Sequence, residues 1–239
     1  MRNGSPICSV VLSPSWVRVI PFGLYLVFLS LTAGAEWIAE HYPSQPVFSA
    51  FATVWHYPIK IAIVGMLLLA FWSRYEELKA PLVTSLAELG LAVGVGILVY
   101  LAWVRMDWAW ATQGITSGYN PFEDTGWTGW GLAGIRLFGA SVVVPVMEEL
   151  FWRSFLLRYL IAPTFRTVPL GMFTPLSLVM TTAFFGFEHH LWLAGMLAGL
   201  AYTLLLYYTK RLWPCIIAHG VTNLCLGVHV LVTHEWRWW

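Results

Sequence analysis

The sequence predicts an all-α fold, a polytopic transmembrane helix bundle with about seven spans and eight as the upper count. Three observations predict it. Of 239 residues, 59% are hydrophobic and only 10% charged, whereas soluble domains run near a quarter charged. Mean hydropathy is +0.69. The apolar residues fall in runs of span length, about 17–25 residues, separated by polar breaks.

The elements follow in order. A tail, "MRNGSPICSVVLSPSWVRVIPFG", makes a poor signal peptide, because its apolar run is short and interrupted by Pro14. The first span covers 19–38, the second 57–72 and the third 85–104. The fourth starts near 132, the fifth near 174, the sixth covers 192–208 and the seventh 214–232. Segment 43–56 is a candidate for an additional interfacial helix. These elements form one integral membrane bundle, with residues 1–128 as amino-terminal spans plus an outer loop and 129–233 as a helix core.

Charge orients the bundle. Arg2 and Arg18 precede the first span, Arg74 and Lys79 follow the second, and Arg105 stands alone after the third. Arg158 and Arg166 follow the fourth, and Lys210 and Arg211 separate the last two. Basic loops stay on the cytoplasmic side. The expectation is therefore an integral protein of the cell (inner) membrane with a cytoplasmic N-terminus. The connection 105–130, acidic and aromatic, is then an outer interfacial flap. Trp37, Trp72, Trp103, Trp127 and Trp213 lie near span ends, where amphipathic rings anchor. A net charge of +1 implies no nucleic-acid partner. Cys8, Cys215 and Cys225 give no disulfide or zinc-finger spacing.

Length arithmetic marks one irregular place. Two complete spans with a turn need more than about 40 residues, yet Pro175 to Tyr208 provides fewer. The helix pair must therefore break, near 184–195, within the membrane depth. Non-helical backbone is tolerated there only beside protein or water. A buried polar cavity is expected at Glu188, His189 and His190.

Three polar clusters sit at membrane depth, where ionisable groups cost several kcal/mol unless paired or solvated. In "EELFWR", Glu149 and Arg153 are four apart on one helix face, acid first, and can pair. Glu148 points about 100° away without a partner on its own helix. The unpaired carboxylate reads as catalytic and the paired one as structural. Glu148 lies ~20 Å along its helix from the turn after it, and His189 roughly 22 Å beyond the same turn, so their heights match. His219 and Asn223, in "HGVTN", share a face. Glu148 and His189 can activate water, while His219 and Asn223 can hold an oxyanion. That chemistry hydrolyses an amide and needs no cofactor.

At these residues the chain resembles the CAAX prenyl protease 2 family, also called the CPBP or Abi intramembrane proteases. The family motifs EExxxR, FxxxH and HxxxN read here as Glu148 to Arg153, Phe185 to His189 and His219 to Asn223. The resemblance covers about residues 130 to 227. It implies a glutamate-type endopeptidase with Glu148 and His189 activating water, His219 and Asn223 as oxyanion hole, and Glu149, Arg153 and Phe185 in support; His190 departs from the apolar residue usual after the motif histidine and reads as a supporting turn or cavity residue. The amino-terminal half resembles the branch found beside bacterial exosortase systems. The implied partners are the lipid bilayer and a peptide or protein-tail substrate, with a link to an exosortase system.

Rival readings stay open at this point. Glu148, His189 and His219 are plausible zinc ligands, although no HExxH occurs. Cys215 is one turn before His219, but an apolar surrounding makes a thiol a poor nucleophile. A non-catalytic scaffold or immunity-type protein would keep the same residues, and a proton-coupled transporter would use them as a relay. Asn223 alone would read as a helix-to-helix hydrogen bond. Gly195 and Gly199 read as a helix contact, and Arg136 as snorkelling outward or neutralising an acid in the cavity.

Overall fold

A computed structural model describes residues 12–42, 55–114, 118, 120–122 and 127–239. The possible helix at 43–56 falls almost wholly outside the described residues, as do parts of the 105–130 connection. Seven principal helices run up and down: α1 (Trp16–His41), α2 (His56–Ala70), α3 (Leu86–Trp103), α4 (Thr128–Tyr159), α5 (Pro175–Phe187), α6 (Trp192–Thr209) and α7 (Leu212–Thr233). No strand occurs among the described residues. Five of the helices are long and apolar enough to cross a bilayer, while α2 and α5 are shorter. The helix pair breaks at 188–191, inside the stretch where length arithmetic puts the break. Its first member, α5, is 13 residues long, or ~20 Å.

Local chemistry sets the ends. Ser85 caps α3 by accepting from the Glu88 amide at 3.1 Å, and the Glu88 carboxylate accepts from the Thr84 amide at 2.9 Å. This is a capping box displaced by one residue. Thr174 caps α5 through the Ser177 amide, with Pro175 in the first turn, where its missing N–H costs nothing. Lys210 ends α6 in the left-handed region at φ 56°, and its ammonium donates to the Gly171 carbonyl at 2.6 Å.

Packing turns the usual pattern inside out. Leu31, Met66, Leu69, Leu98 and Val232 are exposed, on the lipid-facing side. Arg18, Glu149, Arg153 and His219 are buried. The central contact is α3 on α7. A Cβ on Gly96 would stand 2.5 Å from the Ala218 carbonyl oxygen and 2.8 Å from Val221 Cβ, so only glycine allows this approach. Thr222 donates to the Gly96 carbonyl (2.8 Å) and accepts from Tyr202 (2.8 Å), which joins α3, α6 and α7.

One end of the bundle collects the α1 start and the connections 71–85, 160–174 and 210–211. Here Glu77 is buried between two cations. Arg18 reaches its Oε2 at 2.6 Å, Arg158 pairs with its Oε1, and Ser154 donates to it at 2.6 Å. Burial alone would raise the Glu77 carboxyl, but Arg18, Ser154 and Arg158 outweigh it and hold the group below the usual carboxylate range. A depressed folded-state value means stability that is present above about pH 4.3 and lost as pH falls through the folded value. The Glu77→Gln substitution should therefore lower the melting temperature of detergent-solubilised protein at neutral pH. The gap to the wild type should close in acid, which thermal melts across pH would read.

Candidate active site

Glu148 sits on α4, which is not a uniform α-helix. Two π turns, Gly139–Val143 and Leu150–Leu156, bracket the six-residue stretch Val144–Glu149. Pro145 lies between them. Proline lacks an amide and cannot continue the regular ladder, and π turns are a common accommodation at functional sites. The irregularity frees carbonyls, and α7 uses them. Asn223 Nδ2 donates to Ala140 O at 2.8 Å. Gly220 packs so close to Ser141 O that a Cβ would stand 2.7 Å from it.

The i, i+4 ion pair forms: Arg153 donates to Glu149 Oε1 at 3.0 Å. Arg153 also donates to Gly199 O at 3.2 Å and lies over the Phe185 ring at 4.3 Å. Glu149 does more than pair with arginine, because His219 Nδ1 stands 2.9 Å from the same Oε1. A carboxylate accepts, so Nδ1 carries a proton. The other ring nitrogen, Nε2, then faces Glu148 Oε2 at 3.9 Å. That oxygen is buried and has no protein hydrogen-bond partner, a condition water normally relieves. Tyr202 stacks on His219 with centroids 5.1 Å apart and fixes the ring plane.

His189 follows the end of α5. Its Nδ1 is 2.7 Å from the Phe185 carbonyl, which can only accept, so Nε2 keeps its lone pair in the neutral ring. Trp103 packs edge-on against it at 5.3 Å. Trp103 is therefore a site residue as well as a span-end tryptophan.

Glu148, His189, His190, His219 and Asn223 all line one cavity of about 410 Å³. Tyr202 and Phe185 form its buried wall, and Asp107, Thr112 and the residues Arg237 to Trp239 its more exposed lining, or mouth. Tyr25, Tyr57 and Arg136 also line it, and Arg136 lies 4.8 Å from the Tyr57 ring centroid. Glu188, expected in the same cavity, is bound outside its lining. Its Oε2 accepts from Trp152 Nε1 at 3.1 Å, and it is not among the lining residues. Successive residues of a turn point in different directions, and the indole donor decides this one.

One positioning residue escaped the sequence reading. Gln113, from the 104–114 connection, donates its side-chain amide to Phe187 O (2.7 Å) and His189 O (3.0 Å). Its backbone N–H donates to His190 O at 2.9 Å, and its carbonyl pairs with His190 Nδ1. It thus satisfies the carbonyls left open where α5 ends. A lone glutamine in a loop carries no periodicity that would betray this.

Among the described residues no group of three or more His, Cys, Asp or Glu side chains has metal-holding geometry, so the zinc alternative lacks an assembled ligand set. Cys215 is buried, with Sγ 3.3 Å from Tyr202 O, and does not line the cavity.

No curated protein and no solved structure matches the chain. One family model does, and it spans residues 130–225. All three polar motifs fall inside it, while the amino-terminal half that carries the exosortase resemblance falls outside. Residues 130–225, which hold the helices that converge on Glu148 and His219, thus match the family model described as Rce1-like, type II CAAX prenyl endopeptidase.

Proposed function

We propose that this protein is a glutamate-type intramembrane endopeptidase that hydrolyses a peptide bond of a polypeptide threaded into the cavity. The observation that carries the reading is the buried, unpartnered Glu148 Oε2 facing His219 Nε2 at 3.9 Å. A water between them is held by a base on one side and an imidazole on the other. Glu148 takes a proton from the water as its oxygen attacks the scissile carbonyl carbon. His189, with Nε2 unprotonated, steadies the same water. The carbonyl oxygen becomes an oxyanion, and the C–N bond breaks as the proton passes from Glu148 to the leaving amine.

Two donors suit the oxyanion. Glu149 accepts from His219 Nδ1 and stabilises the imidazolium, whose Nε2–H is then a charged donor. Asn223 spends one amide hydrogen on Ala140 O and keeps the second. The core 129–233 supplies this chemistry, and spans before residue 129 supply the Tyr25, Tyr57 and Trp103 walls. The basic bundle end, with the N-terminus, is cytoplasmic by the positive-inside rule.

The test is cleavage of a membrane-anchored peptide library by purified protein, read by mass spectrometry with and without chelator. Cleavage insensitive to chelation supports the reading. Loss on chelation restores the zinc alternative, and no cleavage by a folded protein favours a scaffold. Gln113→Ala gives a further prediction. It should lower kcat about 10–100-fold with little change in KM, because a 1 Å displacement of His189 is enough for such a loss. Steady-state kinetics would check it.

A further inference from the structure

Among the described residues, the exposed side chains that line the cavity, Asp107 and Arg237, lie at one end of the bundle, and that end is not the basic one. Arg74 and Lys79 lie in the 71–85 connection, Arg158 and Arg166 around the α4–α5 turn, and Lys210 and Arg211 between α6 and α7. These connections share one end. At the other end, between helices, the described Lys and Arg residues are Arg105 and Arg237, offset by Asp107 and Glu235. Arg237 pairs with both acids, at 3.4 and 3.3 Å.

The mouth belongs to this second end. Asp107, Thr112, Arg237, Trp238 and Trp239 rim it, and no residue of 71–85, 160–174 or 210–211 lines the cavity. The basic end is also closed by the buried Arg18–Glu77–Arg158 cluster. Seven residues of α7 precede His219, so the catalytic floor lies only ~10 Å along the helix from the basic end. Access from that side would nonetheless have to break those ion pairs.

We propose that the cavity admits its substrate from the extracytoplasmic face, so that the polypeptide cut is one already translocated. Its chemistry is an extended, apolar peptide stretch at or near the outer membrane surface. The rings of Trp238 and Trp239 at the rim, with Tyr57 and Trp103 on the walls behind them, suit such a chain better than a charged one. This rests on the endopeptidase reading for the substrate, but the sidedness itself is tested without catalysis.

Single-thiol variants Asp107→Cys and Lys79→Cys, with Cys8, Cys215 and Cys225 changed to Ala, are exposed to a membrane-impermeant maleimide in sealed right-side-out vesicles. The Asp107→Cys variant should label at once and the Lys79→Cys variant only after permeabilisation. The reverse pattern overturns the proposal. Should the cysteine-free background misfold, the same thiols in the native background give the answer as added label, mapped by mass spectrometry. An impermeant peptide substrate supplies a second arm. Cleavage in right-side-out vesicles supports the proposal, and cleavage confined to inverted vesicles overturns it. Failure to cut even in detergent defeats the endopeptidase reading instead, and the labelling then decides sidedness alone.

Discussion

Glu148→Gln should lower peptide hydrolysis by about 10²–10⁴-fold while the protein stays folded. The amide matches the carboxylate in volume, so the buried α4 wall is not disturbed. It cannot take a proton from water, and it donates where the carboxylate accepts. Because Glu148 Oε2 has no protein partner, no internal hydrogen bond is lost, and the melting temperature should move little. The loss should fall on kcat, since the proton transfer occurs in the transition state. Asn223→Ala should cost less, about 10²–10³-fold, because one oxyanion donor remains. Cys215→Ala should leave the rate unchanged, since its thiol lies outside the cavity. Retained activity in a folded Glu148→Gln protein would sink the glutamate mechanism.

What could be read from the sequence follows from the reach of local signals. Apolar run length marks each helix, and the residue count from Pro175 to Tyr208 places a break that the structure puts at 188–191. The i, i+4 spacing of Glu149 and Arg153 was enough to pair them. Contacts set by helix rotation were not legible. His219 is 70 residues from Glu149, and only the azimuth of α7 against α4 decides that Nδ1 meets Glu149 while Nε2 faces Glu148. Glu188 left the expected cavity because of one indole donor. Gln113 gave no pattern at all. Pro145 did offer a signal: a proline inside a span demands a defect, and the π turns on either side are that defect. The carbonyls they release explain why Asn223 reaches α4, so a reading of Pro145 would have brought α7 to the right place.

The largest stability effect is expected at Arg153. Its side chain is 2% exposed. It neutralises Glu149, bonds the Gly199 carbonyl of α6 and covers the Phe185 ring of α5. Arg153→Ala removes all three ties and leaves Glu149, which is fully buried, with His219 as its remaining partner. Breaking a buried pair from one side costs about 3–5 kcal/mol, against total stabilities of about 5–15 kcal/mol. The melting temperature in detergent should fall by about 6–20 °C, and activity should be lost because His219 loses its anchored acceptor. Arg153→Lys should recover part of the stability, since an ammonium keeps the charge but not the planar fork that serves Glu149 and Gly199 together. The decisive variant is the double change Arg153→Met with Glu149→Gln. Removing both charges should restore most of the melting temperature, because no uncompensated ion remains. It should not restore cleavage, because glutamine no longer stabilises a protonated His219. Recovery of both properties would mean that the Glu149–Arg153 pair serves stability alone and that His219 needs no acid behind it.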